Sequence, residues 1–253
     1  MDRFALGKVR ITKTCLVAVV DRIKEYSLNK QHGYICLMDT RTAYLANRDE
    51  GYCSVQNRSL MTLPDGMPLV WFARMRGYTE VGKVSGKDFM DAIFAVSEQE
   101  GYTHYFYGGS GETIEKIQLN LKQKYPGLVV LGAVSPPFQP LEDFDIESLG
   151  NELNRIEPDF FWCGLGAPKQ EMLISSLQQK VQGTFCVGVG LAFEYFAGTV
   201  KRAPLWMQKK GLEWVYRLAQ QPRNIQRVIK PFLWVMKELL LSTLKNKREQ
   251  GSK

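Results

Sequence analysis

Six short apolar runs, each broken off by a polar or glycine-rich junction and mostly followed by a helix pattern, constrain this chain more than any other feature. They are Tyr34–Met38, Leu60–Leu63, Tyr105–Tyr107, Leu128–Leu131, Asp159–Cys163 and Thr184–Val187. Runs of this kind suit strands covered on both faces, and the helical stretches between them suit the crossovers that parallel strands need. The sequence therefore predicts an α/β fold, a mostly parallel Rossmann-like sheet with helices on both faces. Open sheets of this kind place ligands beyond the carboxyl ends of their strands. The junctions at residues 39, 65, 108, 164 and 188 are thus the expected ligand edge.

Each junction carries its own chemistry. In Leu63-Pro64-Asp65-Gly66 one carboxylate stands at a strand end, ahead of a helix pattern from Pro68 through Met75. Asp65 is either an acid–base group or a cap for that helix. Asp39 and Thr40, which open a helix through Tyr44-Leu45-Ala46, have the same two readings, ligand contact or N-cap. The polar loop Gly77 to Lys87 brings Lys83 near the same edge. Gly108-Gly109-Ser110-Gly111 is either a cradle of backbone N–H groups for a pyrophosphate or a tight turn. It lacks the full GxGxxG fingerprint and the lysine of a P-loop. Gly164-Leu165-Gly166-Ala167-Pro168-Lys169-Gln170 offers Lys169 to a phosphate and Gln170 to a sugar or base, and Gly188 and Gly190 follow the last run. Asp143-Phe144-Asp145 has the DxD pattern of many metal-binding enzymes of nucleotide sugars. It stands just ahead of a helix from Ile146 to Ile156, and we read it as capping and solvated charge. No metal and no cofactor is expected.

Composition narrows the chemistry further. With only two histidines, His32 and His104, acid–base work falls to carboxylates. His104 lies inside the strand-like Thr103–Tyr107 and reads as structural. The five cysteines are scattered, with no CxxC pair, as reduced core thiols of a cytoplasmic protein would be. No leader peptide is expected, because Asp2 and Arg3 come at once and no long apolar run precedes a small-residue cleavage site, and no spanning helix, because no apolar run reaches about 18 residues.

The net charge of +7 is unevenly placed: residues 1–197 carry 20 basic and 23 acidic side chains, residues 198–253 carry 13 and 3. We divide the chain there, into an α/β core (1–197) and a basic amphipathic helical appendage (198–253). The appendage mixes Trp206, Trp214, Trp234 and Leu239-Leu240-Leu241 with Arg217, Arg223, Arg227 and Lys230. Basic residues among tryptophans and leucines fit an anionic membrane surface. A helical cap on the core is the plainer reading. Nucleic acid, though electrostatically admissible, fits this aromatic and aliphatic content least, and none is expected as a partner.

The motifs, taken together, resemble the WecG/TagA/CpsF family of bacterial glycosyltransferases. The matching segments are Leu63–Trp71, Val84-Ser85-Gly86-Lys87-Asp88, Phe106-Tyr107-Gly108-Gly109, Ser135-Pro136-Pro137-Phe138, Gly164–Glu171, Gly188-Val189-Gly190 and Ala197–Pro204. Gly211-Leu212-Glu213-Trp214, Arg217-Leu218 and Pro222-Arg223 extend the likeness into the appendage. The resemblance implies metal-independent, inverting transfer of a hexose or N-acetylhexosamine-type sugar from a UDP-sugar to a polyprenyl-diphosphate-linked sugar. Surface polysaccharide synthesis at the inner face of the cell membrane is the implied setting, by a peripheral and possibly homo-oligomeric enzyme. It also implies that Asp65 is the general base and that Gln170 and the arginines of the tail, Arg217 and Arg223, serve the donor. Two positions depart from the pattern: Asp39 stands where many relatives have asparagine, and Lys83 replaces an arginine. The first adds a carboxylate able to raise the pKa of Asp65, and the second loses a bidentate fork. Other readings of the same residues are an NAD(P)-dependent oxidoreductase and a noncatalytic membrane assembly protein.

Overall fold

A computed structural model describes residues 1–220 and 225–250. The chain opens with an antiparallel hairpin, β1 (Arg3–Leu6) and β2 (Val9–Thr12). It continues through α1 (Leu16–Leu28), β3 (Tyr34–Met38), α2 (Thr40–Ala46), α3 (Glu50–Arg58), β4 (Met61–Pro64), α4 (Met67–Met75) and α5 (Gly86–Glu100). Next come β5 (Thr103–Gly108), α6 (Gly111–Lys124), β6 (Val129–Val134), α7 (Ile146–Ile156), β7 (Phe160–Gly164), α8 (Lys169–Leu177), β8 (Phe185–Gly188) and α9 (Ala192–Ala197). Three further helices follow, α10 (Leu205–Lys209), α11 (Glu213–Gln220) and α12 (Ile225–Gln250).

β3 to β8 form one sheet in the order β4-β3-β8-β7-β5-β6, with every neighbouring pair parallel. Alternate side chains of a strand leave on opposite faces, and both faces here are covered. Ile35, Leu37, Phe106, Trp162 and Val187 pack against residues of α1, α5, α6 and α9. Tyr34, Cys36, Tyr105, Phe161, Cys163 and Cys186 pack against α3, α7 and α8. This two-sided burial is why those strands read as unbroken apolar runs. β6 differs. It ends the sheet with β5 as its one neighbour, and Val129, Leu131 and Val134 remain exposed.

His104 is buried among Phe94, Phe160 and Trp162, its Nδ1 accepting from the Trp162 indole at 3.0 Å. Burial pushes its pKa down to about 3, so it stays neutral, as a structural residue should. All five cysteines are free thiols and four are buried. Asp145 caps α7 by accepting from the Ser148 N–H at 2.9 Å, the role read for it from sequence. The loop expected to be polar between α4 and α5 carries two buried apolar side chains, Val81 and Val84. Val84 donates to the Pro64 carbonyl at 2.9 Å, which draws the loop along the end of β4.

The final helix is anchored and exposed at once. Val235 and Leu239 of α12 are buried in a cluster with Phe4, Leu6, Met38, Leu69 and Phe72, and Trp234 meets Tyr44 edge-on. Ile225, Ile229, Leu233 and Leu240 of the same helix are exposed, at the spacing of one helical stripe. No helix among the described residues is long and apolar enough to cross a membrane.

Candidate active site

The register of the sheet builds the site. Met38 of β3 pairs with Pro64 of β4, so Asp39 and Asp65 are the next residues on two adjacent parallel strands. Adjacent strands lie about 4.8 Å apart, which sets the two carboxylates side by side at the carboxyl edge. Asp65 N–H donates to the Met38 carbonyl at 2.7 Å, holding this continuation together.

The two aspartates then part in function. Asp39 caps α2: its Oδ1 accepts from the Thr42 N–H and hydroxyl, both at 2.7 Å. Asp65 caps nothing, because the N-cap of α4 is Gly66, whose φ of 140° an L side chain rarely adopts. Among the described residues nothing donates a hydrogen bond to the Asp65 carboxylate. Its pKa is pushed up to about 7, first by desolvation and then by the negative charge of Asp39, while Lys83 and Arg217 pull the other way.

Two cavities meet at this pair, of about 240 Å³ and about 450 Å³. Asp39, Arg41, Asp65, Glu213 and Arg217 line both. The smaller reaches toward Gln170, Gly188, Gly190, Tyr195 and Arg202. The larger runs past Thr40, Met67, Pro68, Trp214 and Val228, beneath the C-terminal helices. Arg41 also donates to the Ala167 carbonyl at 3.3 Å, and Arg217 to the Tyr195 hydroxyl at 3.2 Å. Desolvation opposes the Arg217 charge, but Tyr195, Asp39 and Asp65 hold its pKa above the ordinary arginine value.

The floor of the smaller cavity is a buried polar unit. The Gln170 carbonyl oxygen accepts from the Gly166 N–H at 3.1 Å, and its amide NH2 donates to Glu171 at 2.8 Å. The Tyr52 hydroxyl donates to the other Glu171 oxygen at 3.1 Å. Glu171 is fully buried, and burial raises its pKa to about 7 against these donors. A Cβ on Gly188 would stand 3.1 Å from the Gln170 side chain, so that glycine leaves room for the amide.

The remaining expected positions lie elsewhere. Gly108, Gly109, Ser110 and Gly164 line neither cavity. A Cβ on Gly108 would stand 2.6 Å from the Gly164 carbonyl carbon, and one on Gly164 2.4 Å from the Phe193 ring. Ser110 caps α6 by accepting from the Thr113 N–H at 3.1 Å. Lys169 donates to the Gln139 carbonyl at 2.6 Å and lies over the Phe138 ring. Lys83 is paired with Glu213. Arg223 lies outside the described residues. Arg41, Arg202, Glu213, Glu171 and Tyr195 line the cavities without having been singled out as site candidates. Glu171, Arg202 and Glu213 fall inside the motifs quoted above, but nothing in the sequence marked them as wall residues. Among the described residues no three His, Cys, Asp or Glu side chains converge as a metal-ligand set.

Comparison with known proteins gives the arrangement a family. An N-acetylglucosaminyldiphosphoundecaprenol N-acetyl-beta-D-mannosaminyltransferase of Bacillus subtilis (strain 168) is 27% identical over 242 residues, 94% of this chain and 93% of the relative. The enzyme of the same name from Staphylococcus aureus (strain MW2) is 26% identical over 222 residues, 87% of this chain and 85% of its own. The family model described as glycosyl transferase WecG/TagA/CpsF matches residues 4–249. The chain belongs to the WecG/TagA/CpsF family of glycosyltransferases.

Proposed function

We propose that the chain transfers a hexose or N-acetylhexosamine-type sugar, with inversion, from a UDP-sugar to a sugar carried on a polyprenyl diphosphate, with Asp65 as general base. The observation that carries this reading is the place of Asp65. Its carboxylate is free of hydrogen bonds among the described residues and stands on the wall common to both cavities. The smaller, more polar cavity suits the donor: Gln170, Gly188 and Gly190 line it together with the guanidiniums of Arg202 and Arg217. The larger cavity, with Met67, Pro68, Trp214 and Val228, suits the acceptor sugar and the start of its lipid.

In the reaction the acceptor hydroxyl oxygen bonds to the anomeric carbon from the face opposite the diphosphate. The bond from that carbon to the diphosphate oxygen breaks, UDP leaves with the electron pair, and Asp65 takes the hydroxyl proton. A carboxylate with a pKa near 7 holds that proton far better than an ordinary aspartate, which suits a base working near neutral pH. Arg41, Arg202 and Arg217 supply positive charge where the leaving diphosphate gains negative charge. Asp39 and Thr40, at the acceptor side, are assigned to substrate contact. Membership of a glycosyltransferase family sets aside the oxidoreductase reading.

We place the enzyme on the inner face of the cell membrane, as a peripheral protein. In support, Leu205, Trp206, Val215, Ile225, Ile229 and Leu233 are exposed on helices of a segment with 13 basic and 3 acidic residues. A panel of UDP-sugars, led by UDP-N-acetylmannosamine, with N-acetylglucosaminyl-diphospho-polyprenol as acceptor tests the function through UDP release. Acceptor-dependent release with one donor is expected. No release with any donor overturns the assignment.

A further inference from the structure

Arg217, on the wall shared with Asp65, is itself held only lightly. Arg217 is exposed, and among the described residues it makes a single hydrogen bond, at 3.2 Å, to the neutral Tyr195 hydroxyl. Its position therefore depends on how α11 is seated. One helical turn earlier, on the same face, stands Glu213.

Glu213 is seated by charge. One carboxylate oxygen is paired with Lys83, and the other accepts from Arg202 Nε at 3.1 Å. Arg202 in turn forks onto Asp88, at 2.5 and 2.8 Å, and reaches the Ser85 hydroxyl at 3.1 Å. Ser85 is the N-cap of α5, and Asp88 lies in that helix's first turn. The side chains of Lys83, Arg202 and Glu213 are 14%, 16% and 23% exposed, so solvent screens these pairs less than it screens pairs on an open surface. Burial works against the Asp88 charge, but Arg202 and Ser85 hold its pKa below the ordinary carboxylate value. Two cations and two anions thus close a neutral clasp between α5 and the start of α11. Just ahead of it Gly211 lies against α4, where a Cβ would stand 2.7 Å from Met67 and 2.8 Å from Trp71.

We propose that Glu213 is a positioning residue for the transfer reaction: clasped by Lys83 and Arg202, it fixes the face of α11 that presents Arg217 to Asp65 and the donor. The proposal rests on the transferase reading for its kinetic form. It gives Lys83 an effect on the reaction with no contact to substrate.

A double-mutant cycle tests it on the full chain. UDP release is measured for wild type, Glu213→Gln, Arg217→Ala and the double variant, with the donor found above. Glu213→Gln is expected to lower kcat/KM roughly tenfold in the wild-type background, within the range for coupled neighbours. On the Arg217→Ala background the same change is expected to cost less than about twofold, because the group it positions is gone. Losses that multiply overturn the proposal. Asp88→Asn, which weakens the clasp from a residue outside the cavity lining, is expected to give the same non-additive pattern at smaller size. Hydrogen exchange of the 213–220 amides needs no substrate and keeps the test alive if every donor fails. Faster exchange in both Glu213→Gln and Asp88→Asn supports the clasp, and unchanged exchange overturns it.

Discussion

Two parts of one sheet edge share a sequence style and have different work. At the ends of β3, β4 and β8 the chain places Asp39, Asp65, Gly188 and Gly190 around open volume. At the ends of β5 and β7, Gly108 and Gly164 are pressed against each other and against Phe193. Both regions read as strand, small residue, helix. What separates them is the residue across the gap: a flexible polar side chain, Gln170, faces Gly188, whereas an aromatic ring faces Gly164. A glycine at a strand end therefore signals close approach, and its neighbour in space decides whether the approach serves a ligand or the backbone.

The largest expected effect falls on the open part. Asp65→Asn is expected to lower turnover by about 10²–10⁴-fold, the usual reach of general base help, with UDP-sugar affinity retained. Single-turnover assay alongside donor titration checks it, and near-normal turnover would remove the base from this half of the edge. In the closed part, Gly164→Ala sets a Cβ 2.4 Å from the Phe193 ring. A stability loss of about 1–3 kcal/mol is expected, with donor affinity kept in the folded fraction. A denaturation midpoint equal to wild type, with donor binding lost, would move this glycine into the site.

Glu171 joins the two kinds of work, since it is buried like the closed part and faces the cavity of the open one. Its pKa rises from 4.5 unfolded to about 7 folded, so the folded state holds the proton more tightly. The stability this contributes is present below about pH 4.5 and is lost as pH rises through 7. Glu171→Gln, fixed in the neutral form, should gain roughly 1–3 kcal/mol over wild type at pH 8 relative to the difference at pH 5. Denaturant titrations at the two pH values read this, and a difference independent of pH would contradict it. The smallest effect is a shift. Asp39→Asn keeps the cap of α2, since asparagine caps as well as aspartate, and removes a charge that raises the Asp65 pKa. The acid limb of kcat/KM should move down by up to about one pH unit. An unmoved limb would mean that the two carboxylates do not sense each other.

Sequence showed the sheet well because two-sided burial leaves a local mark, an apolar run of strand length. Thr40–Ala46 and Ile146–Ile156 emerged with their expected bounds because caps and periodicity are also local. The strand order was not legible, since nothing in a strand names its neighbours. That order is what sets Asp39 beside Asp65 and keeps Gly108 out of both cavities. β1 escaped notice because it is only four residues long, and α3 because its apolar residues are sparse and split between two clusters. The clasp was hidden for a third reason. Lys83 and Glu213 are 130 positions apart, so Lys83 read as a ligand contact and nothing near Glu213 marked it as that lysine's partner.

The buried side of α12 has a mechanical consequence. A helix held by Val235 and Leu239 cannot swing out to find a bilayer without uncovering apolar surface shared with Phe4, Leu6 and Phe72. Whatever receives the stripe of Ile225, Ile229 and Leu233 must take the helix in place, as the keel of a rigid hull. On the membrane placement proposed above, the wider cavity, walled in part by Val228 on that helix, would arrive at the surface already aimed, its bearing set by folding before any contact is made.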